Sequence, residues 1–497
     1  MHIVAHIIYK CQVGREALLL SYNQNMLDVK EIFSLMKDPT QDDKALIQKA
    51  FDFATKSHEG HVRKSGEPYI NHLFGTAKNI ANLGMNAVVI SAGLLHDSIE
   101  DTAVTPEEIE KEFAEWNGRE ILFLVEGVTK LGKIRYQGTN RYNESLRKLF
   151  VAMAEDIRVL IIKLCDRLHN MQTLSHIPKE KQLRIAKETL EIYAPLAYRL
   201  GIKTLQRELE DLAFAYVYPK EYEEIKKILK KKKDEVEAHL DKFQKSLKKE
   251  LAKNGITDFK MDYRVKSLYS LYKKLQKYKW EVESVYDISA IRVTVKEIAD
   301  CYRVLGIVHG VWRPLPERIK DYIATPKLNG YRSIHTTIFT GDGGIIEVQI
   351  RTEEMHDQAE YGVASHLSYK EGKKTTNWIQ ELVDFQKDAG DEFLENAKKD
   401  FFEERIFVFT PIGDVIDLPK DSTVIDFAYA IHTDIGEHVA GAKVNGKFVA
   451  ITKILQNSDR VEVETKKSAK PTKKWLENCK TTMARRKITN YLENTKS

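Results

Sequence analysis

The run Leu94-Leu95-His96-Asp97-Ser98-Ile99-Glu100-Asp101 sets one imidazole and three carboxylates close together behind an apolar entry. On a helix, Glu100 and Asp101 follow Asp97 by three and four positions and share its face. Such a cluster suits a divalent metal holding a water, with spare acids beside it to move protons. A single His-Asp pair would more ordinarily be a solvated helix end, but two further groups are at hand. His72 follows Pro68, a residue suited to opening a helix. Asp166 ends the apolar run Val159–Cys165, where an unpaired carboxylate would be expensive to bury. His72, His96, Asp97 and Asp166 together offer nitrogens and oxygens but no sulfur. That donor set fits a borderline or hard ion such as Mn²⁺ and differs from a closed, sulfur-rich zinc site.

A second constellation lies beyond Asn254-Gly255, where helical periodicity gives way to alternating strands and helices. Val282–Val295 and Gly344–Thr352 read as strands. Alternation in the latter puts Glu347, Gln349 and Arg351 on one face and Ile346, Val348 and Ile350 on the other. Asp287 from the first strand and Glu347 from the second would make an acid pair able to hold Mg²⁺ against phosphates. Two cationic stretches, Arg264–Lys274 and Arg318–His335, accompany them. The second carries Tyr331, an aromatic expected to stand exposed just after the turn glycine Gly330. Cations for phosphates and a flat ring for a base make a nucleotide site.

The elements that must position these groups can be read coarsely. A chain of 497 residues holds two to four domains, and 30% charged with 42% hydrophobic residues is ordinary for a globular protein. A net charge of +5 is mild over this length, which argues against a general DNA binder. Cys11, Cys165, Cys301 and Cys479 are scattered without metal or disulfide spacing, and a reducing cytoplasm fits best. The longest apolar run, Ala87–Leu95, is far too short to cross a bilayer, and the first residues lack the features of a signal peptide. Met26 is an alternative start. The pattern divides the chain into an N-terminal extension (1–44), an all-helical unit (45–205), a helical linker (206–254), an α/β unit (255–370), a second helical linker (371–402), a short β-rich unit (403–466) and a further helical start (467–497). In the first linker, Pro219–Asn254 repeats apolar residues at three- and four-residue steps, the mark of an amphipathic helix.

These motifs, together with Val62-Arg63-Lys64-Ser65-Gly66-Glu67-Pro68-Tyr69-Ile70, Val128-Thr129-Lys130-Leu131-Gly132-Lys133 and Lys163-Leu164-Cys165-Asp166-Arg167-Leu168-His169-Asn170-Met171, resemble those of the Rel/SpoT family of bifunctional alarmone synthetase-hydrolases, from about residue 45 to about residue 465. The resemblance implies a multidomain chain: an all-α HD-type hydrolase domain, an α/β nucleotidyltransferase-like synthetase domain and a small β-grasp TGS domain. It implies hydrolysis of the 3′-pyrophosphate of (p)ppGpp, with His72, His96, Asp97 and Asp166 as Mn²⁺ ligands. Glu100 and Asp101 would activate the water or protonate the leaving group, and Arg63, Lys64, Asn170 and Thr173 would hold the nucleotide. By family position His58, His61 and His169 are not ligands and belong at the surface or just behind them, while Cys165 is a small core residue.

For the second site, the resemblance implies transfer of the β,γ-pyrophosphate of ATP to the 3′-oxygen of GDP or GTP, releasing AMP. Arg264, Lys266, Ser270 and Lys274 would grip ATP. Asp287 and Glu347 would bind Mg²⁺, Glu347 being also a candidate base. Tyr331 would stack on guanine, with Lys327, Asn329, His335 and Gln349 around the acceptor. Lys320, in Arg318-x-Lys320-Asp321, is similar to the bifunctional branch. In the TGS module His432 would meet the 3′ end of deacylated tRNA. The chain stops at Ser497, before the zinc-finger and ACT-like regions of long family members, which leaves ribosome contact without its usual elements. Three readings follow: a bifunctional enzyme of the stringent response, a (p)ppGpp hydrolase with a regulatory, weakly active synthetase, or a non-enzymatic tRNA-binding stress adaptor. Acid pairs at both sites favour the first.

Overall fold

A computed structural model describes residues 27–132, 156–281, 289–327, 330–341, 344–367 and 405–494. These fall into two compact bodies, one ending at residue 367 and the other beginning at 405. No helix among the described residues is long and apolar enough to cross a membrane. The expected linker 371–402 lies outside the described residues, as does Asp287.

The first body opens with helices. α1 (Gln41–Ser57) starts at a capping box in which Thr40 and Asp43 satisfy each other's backbone N–H groups. α2 (Ile70–Asn82) begins two residues after Pro68. α3 (Ala87–Leu95) is apolar all round and entirely buried but for Val88, as such a helix must be. It stops at His96, and Asp97 then precedes a separate short helix, α4 (Ser98–Asp101), without capping it through its side chain. The expected single helix through His96–Asp101 is therefore broken at its functional residues. α5 (Gly118–Gly132) and α6 (Ile157–Gln172) complete the frame around His72 and Asp166.

α7 (Lys203–Val217) leads into α8 (Pro219–Lys253), which has proline in its first turn. Leu240, Phe243, Leu247 and Leu251 of α8 form a buried stripe against the next unit. There β1 (Phe259–Val265), α9 (Leu268–Lys277), β2 (Ser289–Val295), α10 (Ile298–Val311), β3 (Lys320–Asp321), β4 (Ile334–Phe339), β5 (Ile345–Thr352) and α11 (Glu353–Tyr361) follow one another. The five strands lie in the order β1-β2-β5-β4-β3, with β2 and β5 parallel and the other pairs antiparallel. One face buries Ile291, Val293, Ile334, Ile338, Ile346, Val348 and Ile350 against α8 and α10. By alternation, Arg264, Arg292, His335, Glu347, Gln349 and Arg351 occupy the opposite face.

In the second body, β6 (Arg405–Phe409) and β7 (Val415–Pro419) form a hairpin. α12 (Val424–Ile431) and α13 (Thr433–Glu437) precede β8 (Val439–Val444), β9 (Lys447–Val449) and β10 (Val461–Thr465), which pair in the order β10-β8-β9. Residues 473–494, expected to begin a further helical unit, share this core: Trp475, Cys479, Ala484 and Ile488 pack with Phe427 and Val439. Buried Asp426 ties the parts together. It accepts from the backbone N–H and hydroxyl of Thr423 at 2.8 and 2.9 Å, and from those of Thr481 at 2.7 and 2.9 Å, as well as from the Lys480 N–H. One carboxylate thus caps α12 and holds the approach to α14 (Thr482–Asn494). Leaving a buried donor unsatisfied costs about 1–3 kcal/mol. Asp426→Ala should therefore destabilise this body by at least ~3 kcal/mol in urea unfolding; unchanged unfolding would remove Asp426 from this anchoring role.

Candidate active sites

Three side chains converge between α2, α3 and α4. One ligand-type atom from each of His72, His96 and Asp97 lies within 4.8 Å of the others. His72 Nε2 is 3.3 Å from Asp166 Oδ1 and 3.6 Å from Asp97 Oδ2, and His96 Nε2 is 3.1 Å from Asp97 Oδ2 and 4.0 Å from Asp166 Oδ1. The Gly93 carbonyl, 2.8 Å from His96 Nδ1, can only accept, so Nδ1 carries a proton. Burial opposes a charge on the ring, but Asp97 and Asp166 outweigh it and raise the His96 pKa to about 9, so Nε2 faces the two carboxylates protonated when nothing else is bound. A divalent cation in place of that proton would be met by an imidazole nitrogen and two carboxylates together.

Burial works to raise the Asp97 and Asp166 carboxyls, but His96 and His72 around the first, and Lys163 with the same histidines around the second, hold both well below the usual carboxylate range. Lys163 Nζ is 2.7 Å from Asp166 Oδ2, and Asn170 Nδ2 donates to Oδ1 at 2.5 Å. Arg63 donates to Asn170 at 2.7 Å, so two residues expected at the nucleotide join the Asp166 cluster through one chain of contacts. Thr173 stands one turn further along, its hydroxyl on the His169 carbonyl, and Lys64 is exposed. Glu100 has its pKa raised, by burial first and by Asp97 next. Tyr69, which the sequence did not single out, sits three residues before His72 with its hydroxyl 2.8 Å from both Asp97 Oδ2 and Asp101 Oδ2. It fixes Asp101 beside Asp97. Of the histidines set aside, His61 is exposed, but His58 is buried against Tyr69 and His169 packs behind His72, so neither of these is a surface group.

On the sheet, Gln349 donates to Glu347 Oε1 at 2.7 Å, and His335 Nδ1 is 3.0 Å from the same oxygen. His335 Nε2 lies 2.7 Å from the Tyr331 hydroxyl. Burial keeps His335 neutral against the pull of Glu347, so its Nδ1–H donates to Glu347 and its Nε2 accepts from Tyr331. Arg264 is the penultimate residue of β1, and Lys266, Ser270 and Lys274 follow on the turn and α9. Lys320 is exposed opposite His335. Burial, with Lys320 and Arg264 nearby, lowers the Lys327 ammonium to about 8. Asn329 and Asp287 lie outside the described residues. The expectation that Tyr331 stands exposed is wrong: it is 3% exposed. Lys203 Nζ sits 3.3 Å from its ring centroid, where burial and the nearby Arg264, Lys327 and Arg351 hold its pKa well below the usual lysine value. In the second body, His432 is exposed at the junction of α12 and α13.

Known sequence families match in the same order. The HD domain covers residues 50–203, the region found in RelA/SpoT proteins covers 263–374, and the TGS domain covers 406–465. A protein of Aquifex aeolicus named guanosine-3′,5′-bis(diphosphate) 3′-pyrophosphohydrolase is 46% identical over 455 residues, covering 90% of this chain and 64% of its own length. The bifunctional (p)ppGpp synthase/hydrolase SpoT of Escherichia coli is 42% identical, over 90% of this chain and 65% of its own length. A Borreliella burgdorferi protein with the same name as the Aquifex one is 44% identical over 90% of this chain and 68% of its own length. This chain belongs to the RelA/SpoT family. It spans about two thirds or less of most relatives it matches.

In this RelA/SpoT chain the helical unit reaches over the sheet through α7. Besides Lys203 on Tyr331, Arg207 pairs with Glu360 of α11, the Thr204 hydroxyl donates to the Glu360 carbonyl at 3.1 Å, and Glu210 meets Lys273 at 2.9 Å. Arg292 and Arg351 each lie 3.3 Å from Glu360 Oε1. Asp211 accepts the Leu268 and Tyr269 N–H groups at the start of α9 at 3.2 and 2.9 Å. Burial outweighs those bonds and raises the Asp211 carboxyl to about 7. Because the folded pKa lies above the unfolded one, this group's stabilising proton is fully present below about pH 4 and lost as pH rises through about 7. Urea unfolding of the first body should show a decline of up to ~1.4 kcal/mol per pH unit across that window, and Asp211→Asn should remove that component. An identical slope in the variant would mean that Asp211 is ionised throughout.

Proposed function

We propose that this chain both makes and destroys (p)ppGpp: it transfers pyrophosphate from ATP to the 3′-hydroxyl of GDP or GTP, and it hydrolyses the 3′-pyrophosphate of the product. The observation that carries the reading is the pair of separate polar clusters in one body, one built from His72, His96, Asp97 and Asp166 and the other from the Tyr331–His335–Glu347–Gln349 chain. The names of the relatives support both activities. The functional units would be 45–205, 255–370 and 403–466, joined by 206–254 and 371–402, acting in the cytoplasm. The third would offer His432 to the 3′ end of deacylated tRNA.

In the hydrolase, His72, His96, Asp97 and Asp166 would hold Mn²⁺. When bound, the ion supplies Lewis acidity toward a phosphoryl oxygen and an activated water. Glu100, its pKa raised, is suited to give a proton to the departing 3′-oxygen, and Asp101, held by Tyr69, to take one from the attacking water. Arg63, Lys64, Asn170 and Thr173 hold the nucleotide. In the synthetase, Glu347 and Asp287 would share Mg²⁺. Arg264, Lys266, Ser270 and Lys274 bind ATP, and Lys320, Lys327, Asn329, His335 and Gln349 surround the acceptor. Transfer to a hydroxyl depends mainly on positioning and charge neutralisation. The Lys203 side chain over Tyr331 favours a second reading for this conformation, a synthetase held at low activity until that ring is uncovered.

The assay is direct: purified chain with ATP and labelled GDP in Mg²⁺, then with ppGpp in Mn²⁺. His96→Ala or Asp97→Ala should abolish pyrophosphate release while retaining synthesis, and near wild-type hydrolysis by either would overturn the metal assignment. Glu347→Gln should do the reverse, keeping shape but losing the charge that holds Mg²⁺. Tyr331→Ala should weaken acceptor binding by roughly 1–3 kcal/mol, the range for base stacking. Lys203→Ala should instead tighten GDP binding several-fold in calorimetry; weaker binding would make Lys203 a nucleotide ligand rather than a cover.

A further inference from the structure

His96 and His72 enter the metal cluster through Nε2, yet their other nitrogens meet different partners. His96 has a carbonyl, which fixes its tautomer outright. His72 Nδ1 instead lies 2.9 Å from Nδ1 of His169, a group that can accept or donate. Between two facing ring nitrogens only one proton fits. For His72 Nε2 to offer a lone pair, its Nδ1 must carry that proton and His169 Nδ1 must accept it. If the proton sat on His169 Nδ1, His72 would accept it there and carry its own on Nε2, unable to ligate.

The fold makes room for this partner. His169 is three residues beyond Asp166 on α6, so both face α2. The rings of His72 and His169 are 4.9 Å apart. One turn after His72, Gly75 leaves the space into which the ring fits: a Cβ there would lie 2.1 Å from His169 Cδ2 and 2.4 Å from Nε2. Any side chain at 75 would push the imidazole away from His72.

We infer that His169 is a positioning residue of the hydrolase site, holding His72 in its ligating tautomer, and that Gly75 is the gap in α2 that admits it. This rests on the proposed metal role of His72. Ligand-orienting partners of this kind contribute about 10–100-fold to metal affinity.

The test is calorimetric titration of Mn²⁺ into the full chain, with circular dichroism to confirm folding. His169→Leu, which fills the space but cannot accept, should weaken Mn²⁺ binding by about 10–100-fold. His169→Asn, which can return an acceptor near Nδ1, should recover most of the loss. Gly75→Ala, which alters no polar group, should weaken binding in the same direction. A purely packing role predicts the opposite ranking, with Leu close to wild type and Asn the more damaging. Wild-type affinity in His169→Leu overturns the inference. His72→Ala separates the two levels: if it still binds Mn²⁺ as the wild type does, the metal reading itself has failed, whereas its loss beside a normal His169→Leu condemns the role of His169 alone.

Discussion

Glu360 meets three guanidiniums, and the junction between the helical unit and the sheet is arranged around that encounter. Arg292 and Arg351 stand on the polar face of the sheet, Arg351 almost wholly buried, and Arg207 comes from α7. Burial alone would raise the Glu360 carboxyl, yet the three cations bring it to about 2. Buried like charges repel and are costly to desolvate, so a sheet face rich in arginine needs a fixed anion close by. With Glu360 in place, α7 can lie over the sheet, and its own Lys203 and Asp211 reach Tyr331 and the start of α9. The backbone makes the same join: the Val363 N–H donates to the Leu200 carbonyl at 3.0 Å, and Gly362, at φ 54°, lies so near Leu200 that a Cβ would be 2.2 Å from that oxygen.

The opposite charge problem governs the helical unit. There, carboxylates crowd together and are tolerated because each meets a donor. Asp166 has Lys163 and Asn170, while Asp97 and Asp101 share the hydroxyl of Tyr69. The result is a cluster that is strongly acidic at its centre yet neutralised at its edge, the condition under which a cation can bind without a large rearrangement of the protein.

Local pattern made much of this legible. The period-two alternation of Ile345–Thr352 separated Glu347 and Gln349 from the core residues Ile346, Val348 and Ile350. The spacing of His96, Asp97 and Asp166 was informative because acids beside apolar runs are costly unless paired. What escaped were contacts between segments far apart in the chain. Nothing near Tyr331 announces that Lys203 covers its ring, and nothing near His72 announces His169 behind it. The break at His96–Asp97 was also hidden, since the residues on either side are good helix formers and the interruption comes from the packing of the cluster itself.

The placement of β5 has a consequence for how the molecule comes into being. It pairs with both β2 and β4 at the centre of the sheet, although it is the last of the five strands to be synthesised. A chain emerging from its N-terminus therefore holds every described member of the His72–Asp166 cluster, and all of α7, before the sheet has its middle. Domains fold in the order in which they are made. The helical part of the first body is thus synthesised first, and the sheet is completed against a helix that already carries Lys203. A ribosome stalled between the two stages would bear a nascent protein that holds every described residue of the helical cluster and still lacks the middle strand of the sheet.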